Sequence, residues 1–345
     1  IIFIYDTKFV HGTNWEKRLS MELKMQILKY LEANRGTSIS GTKLAEELSV
    51  TRSAIWKGIK ALQQEGYNIE AVTNKGYCLA LDNDIVSVES LSPYLRGKSA
   101  SFDIEVHQSV GSTNTLAKEM AADGAKEGTV IIAREQTSGR GRMGRTFYSP
   151  NSTGIYFSII LRPSLSMEDS LKITTATAVA IAKAIETIAE VPAQIKWVND
   201  IFVNNKKVCG ILTEASLNFE SGGLEYAVVG IGLNVTTEAF PEDIKNVAGS
   251  IYKEKPEDIP VTSILLAEIL NNIGEMMASL ADNKYLEEYK SRSFLIGKEI
   301  LVLRNKKAIP AKALDIDDKA RLVVEYNDKT REALTSGEVS IRPIQ

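Results

Sequence analysis

The stretch Thr137-Ser-Gly-Arg-Gly-Arg-Met-Gly-Arg145 interleaves glycines with arginines and is the part of the chain that most demands a chemical reason. Glycine lets a backbone curl tightly and approach a ligand, and arginine brings a permanent planar cation that forks onto carboxylates and phosphates. The combination predicts a mobile loop closing over an anion; the alternative is a solvated basic loop. Gly139, Gly141 and Gly144 also stand at G-x-G-x-x-G spacing, which marks a dinucleotide site only where a strand leads in and a helix leads out. A strand candidate, Thr129 to Ala133, does precede the loop. Turn residues (Arg145-Thr-Phe-Tyr-Ser-Pro-Asn-Ser-Thr-Gly154) and then another strand candidate, Ile155 to Leu161, follow it, which excludes that reading.

Other residues able to do chemistry fall in three short stretches. Gly111-Ser-Thr-Asn114 offers small hydroxyls and a helix N-cap; Lys196, Asn199, Asp200 and Lys207 gather around a hairpin turning at Asn204-Asn205; Gly230-Ile-Gly-Leu-Asn234 ends an apolar strand with two glycines. Each of these polar residues is, taken singly, equally a turn former or a surface group. The histidines His11 and His107 sit in no motif, so a histidine base or an activated-nucleophile dyad has no support. Cys78 and Cys209 lie far apart in apolar surroundings, which predicts buried thiols in a reducing, cytoplasmic compartment rather than a disulfide or a zinc site. Any chemistry therefore rests on positioning and fixed charge.

The elements that must hold these residues follow from periodicity. With 345 residues, 44% hydrophobic and 25% charged, the chain has room for two or three domains, and a net charge of -3 confines any nucleic-acid contact to local patches. The opening apolar run is too short for a membrane span or signal segment; residues 1–20 are expected to be leader sequence, with Met21 as a start. From there Leu23, Ile27, Leu28 and Leu31 share a helical face. Ser40 and Thr51 then cap two further helices carrying Leu44, Ala45, Leu48 and Ile55, Ile59, Leu62. That is helix-turn-helix spacing, and the hairpin expected around Thr73-Asn-Lys-Gly76 resembles a wing. The third helix would present Thr51, Arg52, Ser53, Trp56, Lys57 and Lys60 to phosphates and base edges, with Lys75 at the wing tip. The alternative is a purely structural three-helix bundle.

Residues 82–98 read as a linker into a short helix. Beyond it the sequence predicts strands at 101–107, 129–133, 155–161, 194–197, 201–213 and 225–234, with helices at 167–189 and 259–280 and a continuation at 285–291. Short strands after Gly297, separated by Asn305-Lys-Lys, Asp317-Asp-Lys and Asn327-Asp turns, suit a small SH3-like barrel.

In this order and at these separations, Gly111-Ser-Thr-Asn114, Gln136, Gly139-Arg-Gly-Arg-Met-Gly-Arg145, Lys196-Trp-Val-Asn-Asp200, Lys207-Val-Cys-Gly-Ile-Leu212 and Gly230-Ile-Gly-Leu-Asn234 resemble the bifunctional biotin-protein ligases that also act as biotin operon repressors. The resemblance runs from Met21 onward. It implies an α+β multidomain chain: a winged helix-turn-helix over 21–82, a central mixed α/β, class II synthetase-like ligase domain over 83–295, and an SH3-like domain over 296–345. It further implies biotin against Ser112, Thr113, Asn114, Gln136, Arg140, Gly141, Arg142 and Lys207, and ATP or adenylate against Arg142, Arg145, Phe147, Lys196, Asn199, Asp200 and Asn234. Arg142, Lys207 and Asp200 would carry the catalysis. Magnesium would arrive with ATP rather than in a protein metal site. A biotin carrier protein, operator DNA and, with adenylate bound, a second copy of the chain are the implied partners, with no membrane. Met143 and Val198 depart from the family pattern, which usually has arginine or glutamine at the first and proline at the second.

The chemistry so implied is adenylation of biotin followed by acyl transfer to a lysine. Its barrier is charge crowding between a carboxylate and a triphosphate, which fixed cations relieve without a histidine. Three rivals remain: a ligase whose helix-turn-helix is vestigial, a non-catalytic ligand-sensing repressor, and a lipoate ligase.

Overall fold

The computed structural model describes residues 12–72, 75–218, 222–304, 307–335 and 338–341. Residues 1–11 of the expected leader, the wing residues Thr73 and Asn74 and the turn residues Asn305 and Lys306 lie outside the described residues. The chain folds as two units, Ile1–Pro93 with Pro256–Ser263, and Tyr94–Lys255 with Ile264–Gln345.

The first unit contains α1 (Gly12–Ala33), α2 (Gly41–Glu47), α3 (Arg52–Gln64), the hairpin strands β1 (Ile69–Val72) and β2 (Gly76–Leu79), and a short α4 (Val88–Leu91). Helix α1 starts at Gly12, nine residues before the expected start at Met21. The caps are those the sequence predicts: Ser40 Oγ accepts from the Lys43 amide at 3.1 Å, and Thr51 Oγ1 from the Ala54 amide at 3.2 Å. Ile27, Leu31, Leu44, Ile55, Ile59, Leu62 and Leu79 close one core between the helices and the hairpin. The hairpin is antiparallel, with Ile69 opposite Leu79 and Val72 opposite Gly76. Arg35 anchors its exit, donating to the carbonyls of Ala80 (3.1 Å) and Asn83 (2.7 Å) while paired with Glu32. Burial raises the pKa of Glu32 against the lowering effect of Arg35. Residues 82–93 of the segment expected to be a linker fold with this unit through α4, which packs on α1 and is closed by a reciprocal Ser87–Ser90 capping box.

The second unit is built on a seven-stranded mixed sheet. In chain order its elements are β3 (Asp103–His107), α5 (Thr113–Ala122), β4 (Thr129–Ala133), β5 (Gly154–Leu161), α6 (Ser170–Ala189), β6 (Gln194–Lys196), β7 (Asp200–Val203), β8 (Lys206–Leu217) and β9 (Leu224–Asn234). The spatial order is β3-β4-β5-β9-β8-β7-β6, with β3 parallel to β4 and every other neighbouring pair antiparallel. The β7–β8 hairpin turns on Asn204 (φ 50°) and Asn205 (φ 61°), two consecutive left-handed residues of the kind that two-residue hairpins require. Helix α5 packs on β4, β5 and β9 through Ala117 and Ala121 against Ile131, Ile160 and Val228. Helix α6 covers the opposite face, where Thr174 and Thr213 share a hydrogen bond of 2.7 Å.

Helix α7 (Val261–Ser279) and α8 (Tyr285–Arg292) precede five short strands, β10 (Glu299–Arg304), β11 (Lys307–Ile316), β12 (Leu322–Tyr326), β13 (Arg331–Leu334) and β14 (Glu338–Ile341). These strands form an antiparallel sheet of order β13-β12-β11-β10-β14. The sheet groups with the second unit.

Candidate active site

Strand register assembles the site. Read directly across the sheet, Lys196 of β6 lies opposite Asp200 of β7, Asp200 opposite Gly210 of β8, Gly210 opposite Gly232 of β9, and Gly232 opposite Tyr156 of β5. Residues directly opposite share a face, so a lysine and an aspartate stand at one end of a row whose middle is bare backbone. Leu212 faces Gly230, which in turn faces Ser158, on the adjacent row of the same face.

The glycines are required by what lies on them. A Cβ at Gly232 would fall 2.3 Å from the Phe147 ring, and one at Gly230 would fall 1.8 Å from Asn114 Oδ1. The sheet surface is thus cut away to admit an aromatic ring from the glycine-arginine loop and a carboxamide from the start of α5. Phe147 also packs edge-on against Tyr156, with ring centroids 6.4 Å apart.

Around Gly230 on this face runs a largely buried polar network. Gln136 Oε1 accepts from the Thr113 amide (2.9 Å) and hydroxyl (3.2 Å), and its Nε2 donates to Ser149 Oγ (3.0 Å). Ser158 Oγ lies 2.8 Å from Thr113 Oγ1 and 2.6 Å from Asn114 Oδ1, and Asn114 Nδ2 donates to the Leu212 carbonyl and to Glu214. Ser112 occupies the N-cap position of α5, yet its side chain makes no cap bond; Gln136 caps the helix from across the fold instead. Glu214 also meets Lys118 at 3.0 Å and Arg140 at 3.6 Å. Burial alone would raise the Glu214 carboxyl, but hydrogen bonds from Asn114 and Lys118 and the charges of Lys118 and Arg140 outweigh it and leave its pKa lowered.

At the lysine–aspartate end of the row, Lys207 Nζ sits 2.6 Å from Asp200 Oδ1, and Arg142 donates to Asn199 Oδ1 at 2.9 Å. Asn199 is locked to Ile211 in both directions, Nδ2 to the Ile211 carbonyl and the Ile211 amide to the Asn199 carbonyl, each at 2.9 Å. Asn234 donates to the Gly249 carbonyl, and the Gly249 amide in turn donates to the Lys207 carbonyl. Asn234 Oδ1 is buried with no hydrogen-bond partner among the described residues. The Trp197–Val198 peptide is cis.

The glycine-arginine stretch folds back on itself. Gly141 donates to the Arg145 carbonyl at 2.7 Å and Phe147 to the Gly139 carbonyl at 2.9 Å, with a single 3-10 turn over Arg142–Gly144 where a dinucleotide fold would start a helix. Gly139 and Gly141 do not serve as left-handed residues; Met143 (φ 55°) and Gly144 (φ 75°) do. Gly139 is needed for close approach, since a Cβ there would lie 2.4 Å from the Phe147 carbonyl. Met143 is 73% exposed at the tip.

The residues singled out from sequence thus fall into two groups on the sheet: Ser112, Thr113, Asn114, Gln136 and Arg140 around the Gly230 row, and Arg142, Phe147, Lys196, Asn199, Asp200, Lys207 and Asn234 around the Gly210–Gly232 row. Gly141 and Arg145 bond to each other within the loop. Sequence reasoning missed Lys118, Ser149, Ser158 and Glu214. Ser158 had a usable signal, a lone hydroxyl inside the otherwise apolar run of β5. Glu214 had none, because an acidic residue on an alternating strand reads as solvent-facing.

Among the described residues no cluster of three histidine, cysteine, aspartate or glutamate side chains could hold a metal ion, and no helix is long and apolar enough to cross a membrane. The Lys207 end of the site offers the Asp200 carboxylate, with amide oxygens on Asn199 and Asn234.

On the first unit, Thr51, Arg52, Ser53, Trp56, Lys57, Lys60 and Lys75 are all exposed, while Ile55, Ile59 and Leu62 of α3 are buried. The recognition-type helix therefore offers a basic, hydroxyl-bearing face with an indole at 53% exposure.

The chain is similar to known proteins. Residues 106–234 match the biotin/lipoate A/B protein ligase family, residues 24–78 an HTH domain, and residues 295–342 the biotin protein ligase C terminal domain. The chain is 33% identical over 312 residues to the bifunctional ligase/repressor BirA of Bacillus subtilis, covering 89% of this chain and 95% of that one. It is 25% identical to the protein of the same name from Escherichia coli, over 88% of this chain and 92% of the other. Among solved structures, biotin protein ligase from Aquifex aeolicus in complex with biotin and ATP superposes with a TM-score of 0.59 at 27% identity, covering 70% of this chain and 98% of that chain.

Proposed function

The chain belongs to the bifunctional biotin-protein ligase and repressor family, and from that premise we propose that it activates biotin with ATP, transfers it to a carrier-protein lysine, and represses transcription with the activated intermediate as corepressor. The observation that carries the reading is the row Lys196–Asp200–Gly210–Gly232, floored by glycine and edged by Arg142 and Lys207. It sets a glycine floor, covered by Phe147 and Asn114, beside a cluster of cations able to meet a carboxylate and a triphosphate.

In the first step a biotin carboxylate oxygen attacks the α-phosphorus of ATP. The new bond is an acyl C–O–P anhydride, the bond between the α-phosphorus and the bridging oxygen breaks, and pyrophosphate leaves. The obstacle is the approach of an anion to a polyanion. Arg142, Lys196 and Lys207 offset it as charges fixed before the reaction begins, so little reorganisation is needed. Magnesium carried on ATP would further neutralise the leaving phosphates, and Asp200 is the carboxylate that would hold it. In the second step a neutral lysine amine attacks the anhydride carbonyl, the acyl C–O bond breaks, AMP departs and the nitrogen's proton passes to the departing phosphate or to solvent; Asp200 orients the amine.

The polar network of Thr113, Asn114, Gln136 and Ser158 supports a pre-formed neutral end of the pocket, in which Asn114 shapes the wall from below. The exposed face of α3 supports operator binding through phosphate contacts from Arg52, Lys57 and Lys60 and base-edge contacts from Ser53 and Trp56. A side-by-side dimer formed once adenylate orders the loop would place two such helices at half-site spacing.

The test is transfer of labelled biotin to a biotin-carrier domain with ATP and magnesium. Transfer that depends on ATP is expected, and absence of transfer by well-folded protein removes the ligase assignment. Operator binding that strengthens with biotin and ATP is expected alongside it; binding indifferent to both removes the corepressor role and leaves a ligase.

A further inference from the structure

The segment carrying Asn199 and Asp200 is fastened from outside the catalytic sheet, and its farthest anchor is in the C-terminal sheet. Trp197 is 4% exposed, and its indole Nε1 donates to the backbone carbonyl of Ala320 at 3.0 Å. Ala320 is itself fully buried, in the turn joining β11 to β12, and holds a left-handed backbone (φ 61°). That turn is built to keep the carbonyl in place. The Ala320 amide donates to the Asp317 carbonyl at 2.9 Å, the Asp317 amide to the Arg321 carbonyl at 3.0 Å, and Asp317 Oδ1 accepts from the amides of Lys319 and Arg321. Arg321 Nε returns to Asp317 Oδ2 at 2.7 Å. One residue on from Trp197, the Val198 carbonyl accepts from the fully buried Tyr289 hydroxyl of α8 at 3.1 Å.

We propose that Trp197 and the Asp317–Arg321 turn are positioning elements for the adenylation step: the C-terminal sheet holds the indole, and the indole sets the depth at which Asn199 and Asp200 face Arg142 and Lys207. The physical reason is the shortness of the lever. Asn199 and Asp200 are two and three residues from the anchored indole, and the intervening carbonyl is clamped by Tyr289, so movement at Ala320 has no slack to be lost in. A displacement near 1 Å in a reacting array costs on the order of 100-fold in rate. The sheet thereby belongs to the catalytic apparatus through the indole it holds. This inference rests on the ligase reading.

The experiment uses the full chain and biotin-dependent exchange of pyrophosphate into ATP. Trp197→Phe keeps an aromatic ring and deletes the donor; Asp317→Ala unfastens the half-buried turn without touching Trp197, Asn199 or Asp200 themselves. Each variant is expected to lose roughly 10- to 100-fold in kcat while the KM for biotin stays within about threefold. The double variant is expected to be no worse than Trp197→Phe alone, because both changes cut one connection. Losses that multiply, an undiminished kcat in either variant, or a loss confined to the KM for biotin overturns the proposal. If Trp197→Phe does not fold, Asp317→Ala decides by the same split of kcat against KM. Wild-type protein lacking exchange defeats the ligase reading itself, whereas active wild type with undiminished variants defeats only this inference.

Discussion

Gly230→Ala is the perturbation whose cost the structure specifies most closely. The added methyl would lie 1.8 Å from Asn114 Oδ1 and 2.6 Å from its Cγ, so the carboxamide must retreat by roughly 1.5 Å to reach ordinary contact. It has nowhere to go without losing partners. Asn114 is 3% exposed, accepts from Ser158 at 2.6 Å, and donates to the Leu212 carbonyl at 3.2 Å and to Glu214 at 3.1 Å. Leaving one or two buried polar groups unpaired costs about 1–3 kcal/mol each, and overpacking adds about 1–3 kcal/mol. The expected loss is about 2–9 kcal/mol, which for a unit of this size lowers the melting temperature by on the order of 10 °C. Calorimetry of wild type, Gly230→Ala, Asn114→Ala and the double variant measures it. Because Asn114→Ala removes the clashing group, the double variant should melt above Gly230→Ala alone, a non-additive cycle between touching residues. A Gly230→Ala protein melting within about 2 °C of wild type, or a strictly additive cycle, would refute the reasoning that the glycine exists to seat Asn114.

Arg142→Ala removes the bond from the loop to Asn199 together with a fixed cation, and should speed escape of the adenylate at least about tenfold in a trapping assay; unchanged retention contradicts the clamp. Glu214 has a lowered folded pKa, so its ionised form contributes stability above the usual carboxylate range, and that contribution is lost as pH falls through the folded value. Glu214→Gln should therefore narrow the melting-temperature gap to wild type as pH drops from about 6 to about 3, and parallel acid limbs count against it. Lys57→Ala, at an exposed position on α3, should weaken binding to a wild-type-selected operator and flatten the salt dependence by about 0.9 in slope; an unaltered slope places Lys57 off the phosphates.

Much of this protein was legible in one dimension because local rules and tertiary structure agree. The Ser40 and Thr51 caps, the buried stripe Ile55-Ile59-Leu62 and the Asn204-Asn205 turn are written in residue types that serve one local purpose, and the structure uses them for it. The glycine-arginine loop announced itself by composition, and Gly230 and Gly232 by their place at the end of an apolar strand. What the chain order could not state is register. Lys196, Asp200, Gly210 and Gly232 come from four strands and form a row only because β6 to β9 pair at one particular offset, and a shift of one residue would send every side chain to the other face. Glu214, Ser158 and the Trp197–Ala320 bond belong to the same class of fact. The sequence by itself determined which helices and turns form and which residues carry charge. Only the tertiary structure decided that Gln136 rather than Ser112 caps α5, that Gly139 serves close approach, and that the C-terminal sheet reaches the Asn199–Asp200 segment. Each of those depends on contacts between groups distant in the chain or brought together by a fold-back, for which no local preference exists.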